Sequence, residues 1–595
     1  MRLTRREEAG APLGGSGQDG SGQGRQGGSG SGSGRGRLRR SLAPAAGVLA
    51  VSLVAAACGG GSGSATGSSA AGSSGTSGST TTSAGRSGGH ARTTSTGTVT
   101  RPAHVKKGGS LTVLEWSGYA GSWPGLDPAT DTNGAADQSY MNAIFGQLFE
   151  LGPNGRTIPD LATGYSFTNG GKTIVIDLRK GVTFSDGTPF NAAAVVFNWE
   201  RDLKSSCTCK PTFNEKAAPV IKATGPDQVS ITLGYVDAAF IHALQDDIFN
   251  WIVSPASLHK MSASAFALKP VGAGPFTVVS DSPSSVLQLK ANPRYWQKGH
   301  PYLSSLTFKA VANDEAAYEA MLAGSGQAYE DMSTPALAPG FKAHFQLTSE
   351  PSTSPYDIQL NTAIAPFDNL KAREAVYAAT DCKLLDQKLF NDQTPCGDSF
   401  TAPGGLFYEQ HVPGYLGYDL KRAKQLVKAA GGITVQLFTI QNPDALHMVE
   451  ALQTMWQAAG MKVTIAEYDL STLIAQFTGG KWQAALQTAG AWDPATGVGV
   501  AFRFASNSPF SGVHDPHLDA LLSEAAGTVS PARRKAFYDE AAAYIAKKAY
   551  GPFLFPINGY DVAAKGVGGP GLSSPLPSVA VTPAILWEDV YNNNG

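Results

Sequence analysis

Thirty residues, Lys172 to Arg201, decide the fold: KTIVIDLRKGVTFSDGTPFNAAAVVFNWER. Apolar and polar residues alternate over Ile174–Leu178, which predicts a half-buried strand, and Asn169-Gly170 just before it predicts a hairpin turn from a preceding strand. Gly and Pro within Ser185–Pro189 predict a turn that ends this region, and Asn191 can cap the helix that follows. The stretch therefore predicts an antiparallel hairpin, a turn and a helix in that order.

Further elements outside this stretch alternate between strand and helix. Ser110–Trp116 alternates like a half-buried strand. Asp419 caps an amphipathic helix, and Gly431 lies just past its end. A second helix at about 445–459 leads into a strand at Lys462–Ala466. Helices that alternate with strands predict an α/β class.

Composition divides the chain into a low-complexity front and a folded remainder. Gly, Ser, Thr and Ala dominate residues 11–36 and 59–89, which predicts disorder there. The 487 residues from 109 onward carry aromatic and branched apolar residues throughout, enough for a large core. Because Lys and Arg (46) nearly balance Asp and Glu (47), the charge excludes a nucleic-acid-binding footprint.

The front of the chain reads as a targeting segment. Leu42–Ala57 holds 16 uncharged residues after a basic run, which predicts a signal peptide too short to span a membrane. Small residues then precede Cys58, and this junction resembles the cleavage site of bacterial lipoproteins, whose cysteine is lipidated. The alternative is ordinary secretion, with Cys58 carrying no lipid.

Four cysteines remain once Cys58 is assigned to lipid. They are Cys207, Cys209, Cys382 and Cys396, and in a chain that leaves the cytoplasm disulfides are the default. The most local of the three possible pairings joins Cys382 to Cys396 and Cys207 to Cys209. Because the four lack metal-ligand spacing, we expect no metal site from them.

Five blocks resemble one family, the large extracytoplasmic solute-binding proteins of ABC importers (the oligopeptide, dipeptide and nickel cluster). In chain order they are Lys172–Arg201, Gly272–Phe276, Asn292–Trp296, Arg373–Asp381 and Tyr418–Lys424. The resemblance covers about residues 110–560. It implies a two-lobed α/β fold of the periplasmic-binding-protein type II, with an extra inserted domain and a hinged ligand cleft.

The resemblance also implies a domain division. We expect a signal peptide at 1–57 and a disordered tether at 58–108. Lobe one would combine 109–155, 272–360 and 560–595, the extra domain would span 156–271, and lobe two would span 361–559.

The family's ligand-contacting positions point to particular residues. In its peptide-binding members an aspartate after a tryptophan in lobe two meets the ligand's α-ammonium, and Trp492 and Asp493 lie at the corresponding place. Asp493 precedes a proline, so the alternative is that it caps a turn, and Trp492 is either a cleft platform or core.

Trp116, Tyr119 and Trp123 are further cleft candidates, with lobe packing as the alternative. Arg503 could meet a ligand carboxylate, but we expect an unpaired surface arginine.

Fragments of catalytic motifs do not assemble into an active site. Gly85–Gly89 fits a nucleophile elbow but lies in the tether, and Ser257–Lys260 fits S-x-x-K without its partner motifs. Ser166 stands where a phosphate loop ending at Gly171-Lys172-Thr173 needs its first glycine. His514 and His517 lie in a proline-containing loop, where we expect solvation rather than metal binding. The sequence predicts no enzyme and no cofactor.

The predicted function is capture of a peptide or peptide-like solute outside a bacterial cell. Hinge closure would hold the solute, and an ABC permease with its cytoplasmic ATPase would receive it. We expect a monomer, anchored to the membrane by lipid at Cys58 and without nucleic-acid partners. The alternatives are another organic solute, nickel, or a transporter-independent sensor lipoprotein.

Overall fold

The computed structural model describes residues 105–595 apart from gaps at 117–124, 132–136, 153–154, 206–217, 246, 333–336, 391, 393, 442, 489–491, 497–498, 509, 577, 580–581 and 584. The predicted leader, the tether and Cys58 lie outside the described residues. The same is true of Cys207, Cys209, Tyr119 and Trp123.

Twenty strands form in the described residues. They are β1 Ser110–Trp116, β2 Phe149–Leu151, β3 Thr157–Pro159, β4 Ala162–Thr168, β5 Thr173–Leu178, β6 Val220–Gly225, β7 Gln228–Thr232, β8 Phe276–Ser282, β9 Val286–Ala291, β10 Ser305–Val311, β11 Ala328–Met332, β12 Gln346–Leu360, β13 Thr434–Ile440, β14 Lys462–Tyr468, β15 Ala484–Thr488, β16 Phe553–Ala563, β17 Val567–Gly568, β18 Ser578–Val579, β19 Thr582–Pro583 and β20 Tyr591–Asn592.

Fifteen α-helices accompany them in the same part of the chain. They are α1 Gln138–Phe145, α2 Ala192–Lys204, α3 Phe240–Gln245, α4 Pro255–Lys260, α5 Ala263–Leu268, α6 Asp314–Leu322, α7 Ala338–His344, α8 Leu370–Ala379, α9 Cys382–Leu385, α10 Leu420–Ala429, α11 Pro443–Ala458, α12 Leu470–Thr478, α13 Val500–Phe504, α14 Pro516–Ala526 and α15 Pro531–Lys548.

The local elements predicted around the opening stretch are confirmed. β4 and β5 pair antiparallel across the turn at Asn169–Gly171. The side chain of Asn191 accepts a hydrogen bond from the backbone N–H of Ala194 at 3.0 Å and starts α2. The first strand has the predicted bounds, Ser110–Trp116.

The elements predicted near the middle of the chain are confirmed as well. Asp419 accepts from the backbone N–H of Arg422 at 2.9 Å, and α10 ends just before Gly431, whose φ of 83° suits glycine. α11 ends at Ala458 and is followed by β14.

A ten-stranded sheet runs through most of the described chain. Its order is β14-β13-β15-β12-β16-β11-β1-β10-β9-β8, and a separate four-stranded sheet has the order β4-β5-β7-β6. We call the half that contains β1 and β8–β11 lobe one, and the half that contains β13–β15 lobe two. β12 and β16 belong to both halves, so the lobes are joined by two antiparallel strands.

The passage between the lobes lies near the middle of β12. Gln346–Pro351 pair with Asn558–Ala563 of β16 beside lobe one, whereas Pro355 and Asp357 pair with Pro556 and Phe553 beside lobe two. The register shifts between Pro351 and Pro355 and again before Asp357. Irregular pairing at this crossover weakens the sheet locally, which is where a hinge costs least.

Separate hydrophobic cores fill the two halves. One core includes Val113 of lobe one together with Ile176 and Trp199 from the four-stranded sheet and its helix. A second core, with Ile358 and Trp456, fills lobe two. Because lobe one and the four-stranded sheet share one core, they form one body, and lobe two forms the other.

A disulfide joins Cys382, the first residue of α9, to Cys396 in lobe two. We expect the double variant Cys382→Ser/Cys396→Ser to lose about 3 kcal/mol of unfolding free energy, because the bond closes a loop with a sequence separation of 14 and restricts the unfolded chain. Urea unfolding measures this loss. Cys207→Ser/Cys209→Ser is the matched control, and a loss below about 0.5 kcal/mol in the first variant would contradict the prediction.

Candidate functional site

Three strand ends meet at the passage between the lobes. Met332, the last residue of β11, pairs with Tyr560 near the crossover, and β1 runs parallel to β11. In lobe two, Thr488 at the end of β15 pairs with Tyr356. The carboxyl ends of β1, β11 and β15 therefore point at the passage, and crevices at such strand ends are where open α/β sheets bind ligands.

The lobe-one wall of this passage contains two neighbouring carboxyl groups. Glu115 of β1 and Glu330 of β11 are both buried, and the hydroxyl of Ser139 on α1 donates to Glu330 at 2.8 Å. Burial raises the pKa of Glu330 to about 8. Burial, with the charges of Glu330 and Asp137, raises the pKa of Glu115 well above its usual range. In the absence of a cation, this wall favours protonated carboxyl groups at neutral pH.

On the lobe-two side, Asp493 lies in a fully buried ion pair. Arg534 of α15 donates to its two carboxylate oxygens from Nη1 and Nη2 at 2.7 and 2.5 Å. His242 of α3 lies 2.9 Å from Oδ2 through Nδ1. Burial alone would raise the pKa of Asp493, but Arg534 and His242 overcome that effect and hold it well below its usual range. Asp493 therefore stays ionised.

The same aspartate also caps a turn, as one of the two sequence interpretations expected. The backbone N–H of Ala495 donates to Oδ1 of Asp493 at 3.0 Å. His242 lies on α3, whose Phe240 and Leu244 belong to the core that lobe one shares with the four-stranded sheet, so the cluster ties lobe two to the other body. The backbone N–H of Ala238 donates to the carbonyl of Ala526 of α14 nearby. A ligand contact of Asp493 stays a prediction, and it requires one of these bonds to be exchanged for a ligand donor.

Trp492 also lies where the two bodies touch. Its buried indole packs with Leu151, Leu576 and Leu586 of the other body. Gly155 lies so close that a Cβ there would come within 1.5 Å of the ring, and its φ of 63° also suits glycine. Trp492 therefore covers the edge of the passage. Its role as a ligand platform stays a prediction.

Asp357, Gln487 and Arg503 form a polar cluster on one face of the lobe-two sheet. Asp357 of β12 lies directly opposite Gln487 of β15, and Arg503 of α13 donates from Nε to the carbonyl of Thr488 at 2.8 Å. The prediction of a surface arginine is wrong, because Arg503 is only 1% exposed. Burial raises the pKa of Asp357 to about 7 and lowers that of Arg503 to about 10, and the opposite charges of the two groups reduce both shifts.

The structure brings together some predicted residues and not others. Trp492 and Asp493 lie at the passage, and Trp116 is the last residue of β1, where only its backbone is described. Tyr119 and Trp123 lie outside the described residues.

Sequence reasoning missed most polar residues of the site, among them Glu115, Glu330, Asp357, Gln487, His242 and Arg534. Glu330 and Asp357 carry only a weak signal, an acidic residue inside a strand that contains other polar residues. Arg534 and His242 carry none, because they lie 41 and 251 residues from Asp493 and only the folded chain brings them to it.

Two negative findings apply to the described part of the chain. It contains no group of three His, Cys, Asp or Glu side chains placed to hold a metal ion. Of the two histidines considered as metal ligands, His517 packs its ring against Tyr544, and Asp515, which lies between the two histidines in the sequence, caps α14. Each helix in this part of the chain is too short or too polar to cross a bilayer.

A cavity of about 680 Å³ lies beside the Cys382–Cys396 disulfide. Tyr377, Tyr415 and Phe553 are among the residues that line it, and the whole lining comes from lobe two and the lobe-two end of β16. Hinge motion would leave this cavity unchanged, which distinguishes it from the passage between the lobes.

Comparison with known proteins places the chain among binding proteins. Residues 156–510 match the family described as bacterial extracellular solute-binding proteins, family 5. The glutathione-binding protein GsiB of Shigella dysenteriae serotype 1 is 27% identical over 434 residues, which cover 70% of this chain and 83% of GsiB.

Two solved structures have the same fold. The substrate-binding protein CtaP of Listeria monocytogenes aligns with a TM-score of 0.72 and 20% identity, covering 82% of this chain and 100% of CtaP. The periplasmic binding protein DppA of Helicobacter pylori, solved with the peptide STSA, aligns with a TM-score of 0.67 and 20% identity, covering 82% and 99%. At this identity the likeness establishes the fold alone, which is two-lobed.

Proposed function

The chain belongs to the bacterial extracellular solute-binding proteins of family 5, which are not enzymes, and from that premise we propose that it captures a peptide or peptide-like solute and delivers it to an ABC permease. The observation that carries this proposal is the passage between two bodies that are joined by β12 and β16 and touch at Trp492 and Asp493. A solute held there would be enclosed when the lobes close.

Peptide-like chemistry is the best-supported ligand class. The passage has the carboxyl groups of Glu115 and Glu330 on its lobe-one wall and the buried Arg503 on the lobe-two side. It can therefore bind both the hydrogen-bond donors and the acceptors of a peptide. The relatives named as glutathione-binding proteins support a short peptide-like solute. Trp492 and Asp493 are proposed to complete the site from lobe two, with Trp116, Tyr119 and Trp123 opposite.

The remaining parts of the proposal concern the setting. We propose that Cys58 carries a lipid, that residues 58–108 tether the folded part to the outer face of the cell membrane, and that the protein acts as a monomer. The permease and its ATPase complete the importer. The division into lobe one, the extra domain 156–271 and lobe two is part of this proposal.

A ligand screen tests it. The purified protein is heated with pooled di- to pentapeptides, sugars, opines or Ni²⁺, and solute at 100 times its dissociation constant adds about 2.7 kcal/mol to stability. We expect peptides to raise the melting temperature and to be recovered chemically unchanged. A shift with sugars or Ni²⁺ alone, or chemical turnover of the solute, would overturn the proposal.

A further inference from the structure

The cluster of Asp357, Gln487 and Arg503 leaves six polar atoms without a hydrogen-bond partner on any other described residue. Neither carboxylate oxygen of Asp357, neither polar atom of the Gln487 amide, and neither Nη of Arg503 forms a hydrogen bond with another described residue. The three residues are 0%, 2% and 1% exposed. Buried polar groups nearly always have a partner, so six such atoms together demand an explanation.

The backbone and inner parts of these side chains are held in place, although their polar ends have no hydrogen-bond partner on other residues in the described part of the chain. Nε of Arg503 donates to Thr488, and its backbone carbonyl accepts from Nε2 of Gln359, which also donates to Phe510 at 2.9 Å. The opposed positions of Asp357 and Gln487 are set by the β12–β15 register. The cluster is therefore preorganised, and its free donors and acceptors lie next to one another.

The cluster lies at the ligand-facing end of lobe two. Asp357 is two residues past Pro355, where β12 leaves the crossover, and Gln487 is one residue before the end of β15. Trp492, which touches the other body, follows shortly after β15. A hinge opening at the crossover would expose this end of the sheet first.

The charges select a particular kind of ligand group. Asp357 offers acceptors for an ammonium group, Arg503 offers paired donors for a carboxylate, and the Gln487 amide offers one of each. Because Asp357 and Gln487 are direct cross-strand neighbours and Arg503 is bound to the next residue, the complementary groups must also be close together. The two ends of a linear peptide separate by roughly 3.3–3.6 Å with each added residue. An ammonium group and a carboxylate on one carbon fit this cluster better than the two ends of a linear peptide do.

We propose that Asp357, Gln487 and Arg503 form a subsite for an α-amino-acid head group, whose ammonium binds Asp357 and whose carboxylate binds Arg503. Gln487 bridges the two. This proposal rests on the proposed function and narrows its ligand to solutes that keep both charges on one carbon, such as peptides linked through a side-chain carboxyl.

Matched solutes test the proposal by isothermal titration. γ-Glutamylalanine has the complete head group, glutarylalanine lacks its ammonium, and γ-aminobutyrylalanine lacks its carboxylate. We expect the wild-type protein to bind γ-glutamylalanine about 100-fold more tightly than either analogue, because a site built for a polar group is left unpaired by a ligand without it. Its linear isomer α-glutamylalanine is expected to bind more weakly as well.

Two variants test which charged group of the ligand each residue binds. Arg503→Gln should abolish the preference over γ-aminobutyrylalanine and keep the preference over glutarylalanine, and Asp357→Asn should do the reverse. Arg373→Gln is the matched control, because Arg373 is a buried arginine of lobe two that bonds to the carbonyls of Phe367 and Lys548. It should leave both preferences intact.

Three outcomes would overturn the subsite. In the first, the wild-type protein binds other peptides but none of these three probes. In the second, it binds all three probes with equal affinity. In the third, Arg503→Gln weakens the binding of all three probes equally, which would indicate a structural polar network. Failure of the proposed function is a different result, since then no peptide of any kind binds the wild-type protein.

Discussion

Arg534→Met is expected to lower the free energy of unfolding by about 3–5 kcal/mol, because it leaves a fully buried carboxylate without its cation. Arg534 supplies two hydrogen bonds to Asp493, and the exposed fraction of Asp493 is 0%. His242 and the backbone of Ala495 keep their bonds but do not replace the two hydrogen bonds that Arg534 supplies. Urea denaturation at neutral pH, followed by circular dichroism, measures the loss.

The neighbouring residue provides the control. Lys535 pairs with Glu409 and Asp539, but its side chain is 40% exposed, so Lys535→Met should cost no more than about 1 kcal/mol. The double variant Asp493→Asn/Arg534→Met should recover part of the stability, since no unpaired charge remains. A loss under about 1 kcal/mol in Arg534→Met would show that Asp493 finds another partner or water.

Arg534 and Lys535 are adjacent in the sequence but differ in their surroundings, and this difference shows which features a sequence can predict. The helix that contains both is a local pattern, and so are the strand at Ser110–Trp116 and the Asn191 cap, because each depends on residues within a few positions. Whether a charge on that helix meets solvent or a buried aspartate depends on the packing of α15 against the segment after β15. No spacing along the chain encodes that packing.

The residues of the candidate site likewise divide into those that the sequence indicated and those whose position depends on long-range packing. The family resemblance pointed to Trp492 and Asp493, and both lie at the passage between the lobes. Arg503 was expected to be an unpaired surface arginine, yet α13 packs onto the sheet through Gln359 and Thr488. Its position near Asp357 depends on the packing of α13 and on the β12–β15 register, which are long-range features.

A second large effect is expected from pH. Glu150 and Glu588 share a hydrogen bond in lobe one, with Asp160 and Asp589 close by. Burial, with the charges of the two aspartates, raises the pKa of Glu588 to about 8, and burial, with the charge of Glu588, raises that of Glu150 well above its usual range. The folded protein therefore holds protons that the unfolded chain has already released at neutral pH.

The sign of the effect follows from proton binding. Between the unfolded pKa, about 4.5, and the folded pKa, about 8, the folded state binds more protons, so stability is greatest near pH 5 and falls as pH rises. At about 1.4 kcal/mol per pH unit, Glu588 alone accounts for a loss on the order of 4 kcal/mol by pH 8. Urea unfolding at pH 5, 6, 7 and 8 measures this slope.

The Glu588→Gln variant should flatten the slope, because the amide cannot ionise and its oxygen can accept the hydrogen bond that the Glu150 carboxyl group donates. We expect it to match the wild-type protein near pH 5 and to be more stable at pH 8. Glu540→Gln, which changes an exposed glutamate on α15, should leave the slope unchanged. A wild-type stability that rises from pH 5 to pH 8 would mean that this group of acids is ionised in the folded state and is balanced by cations or solvent.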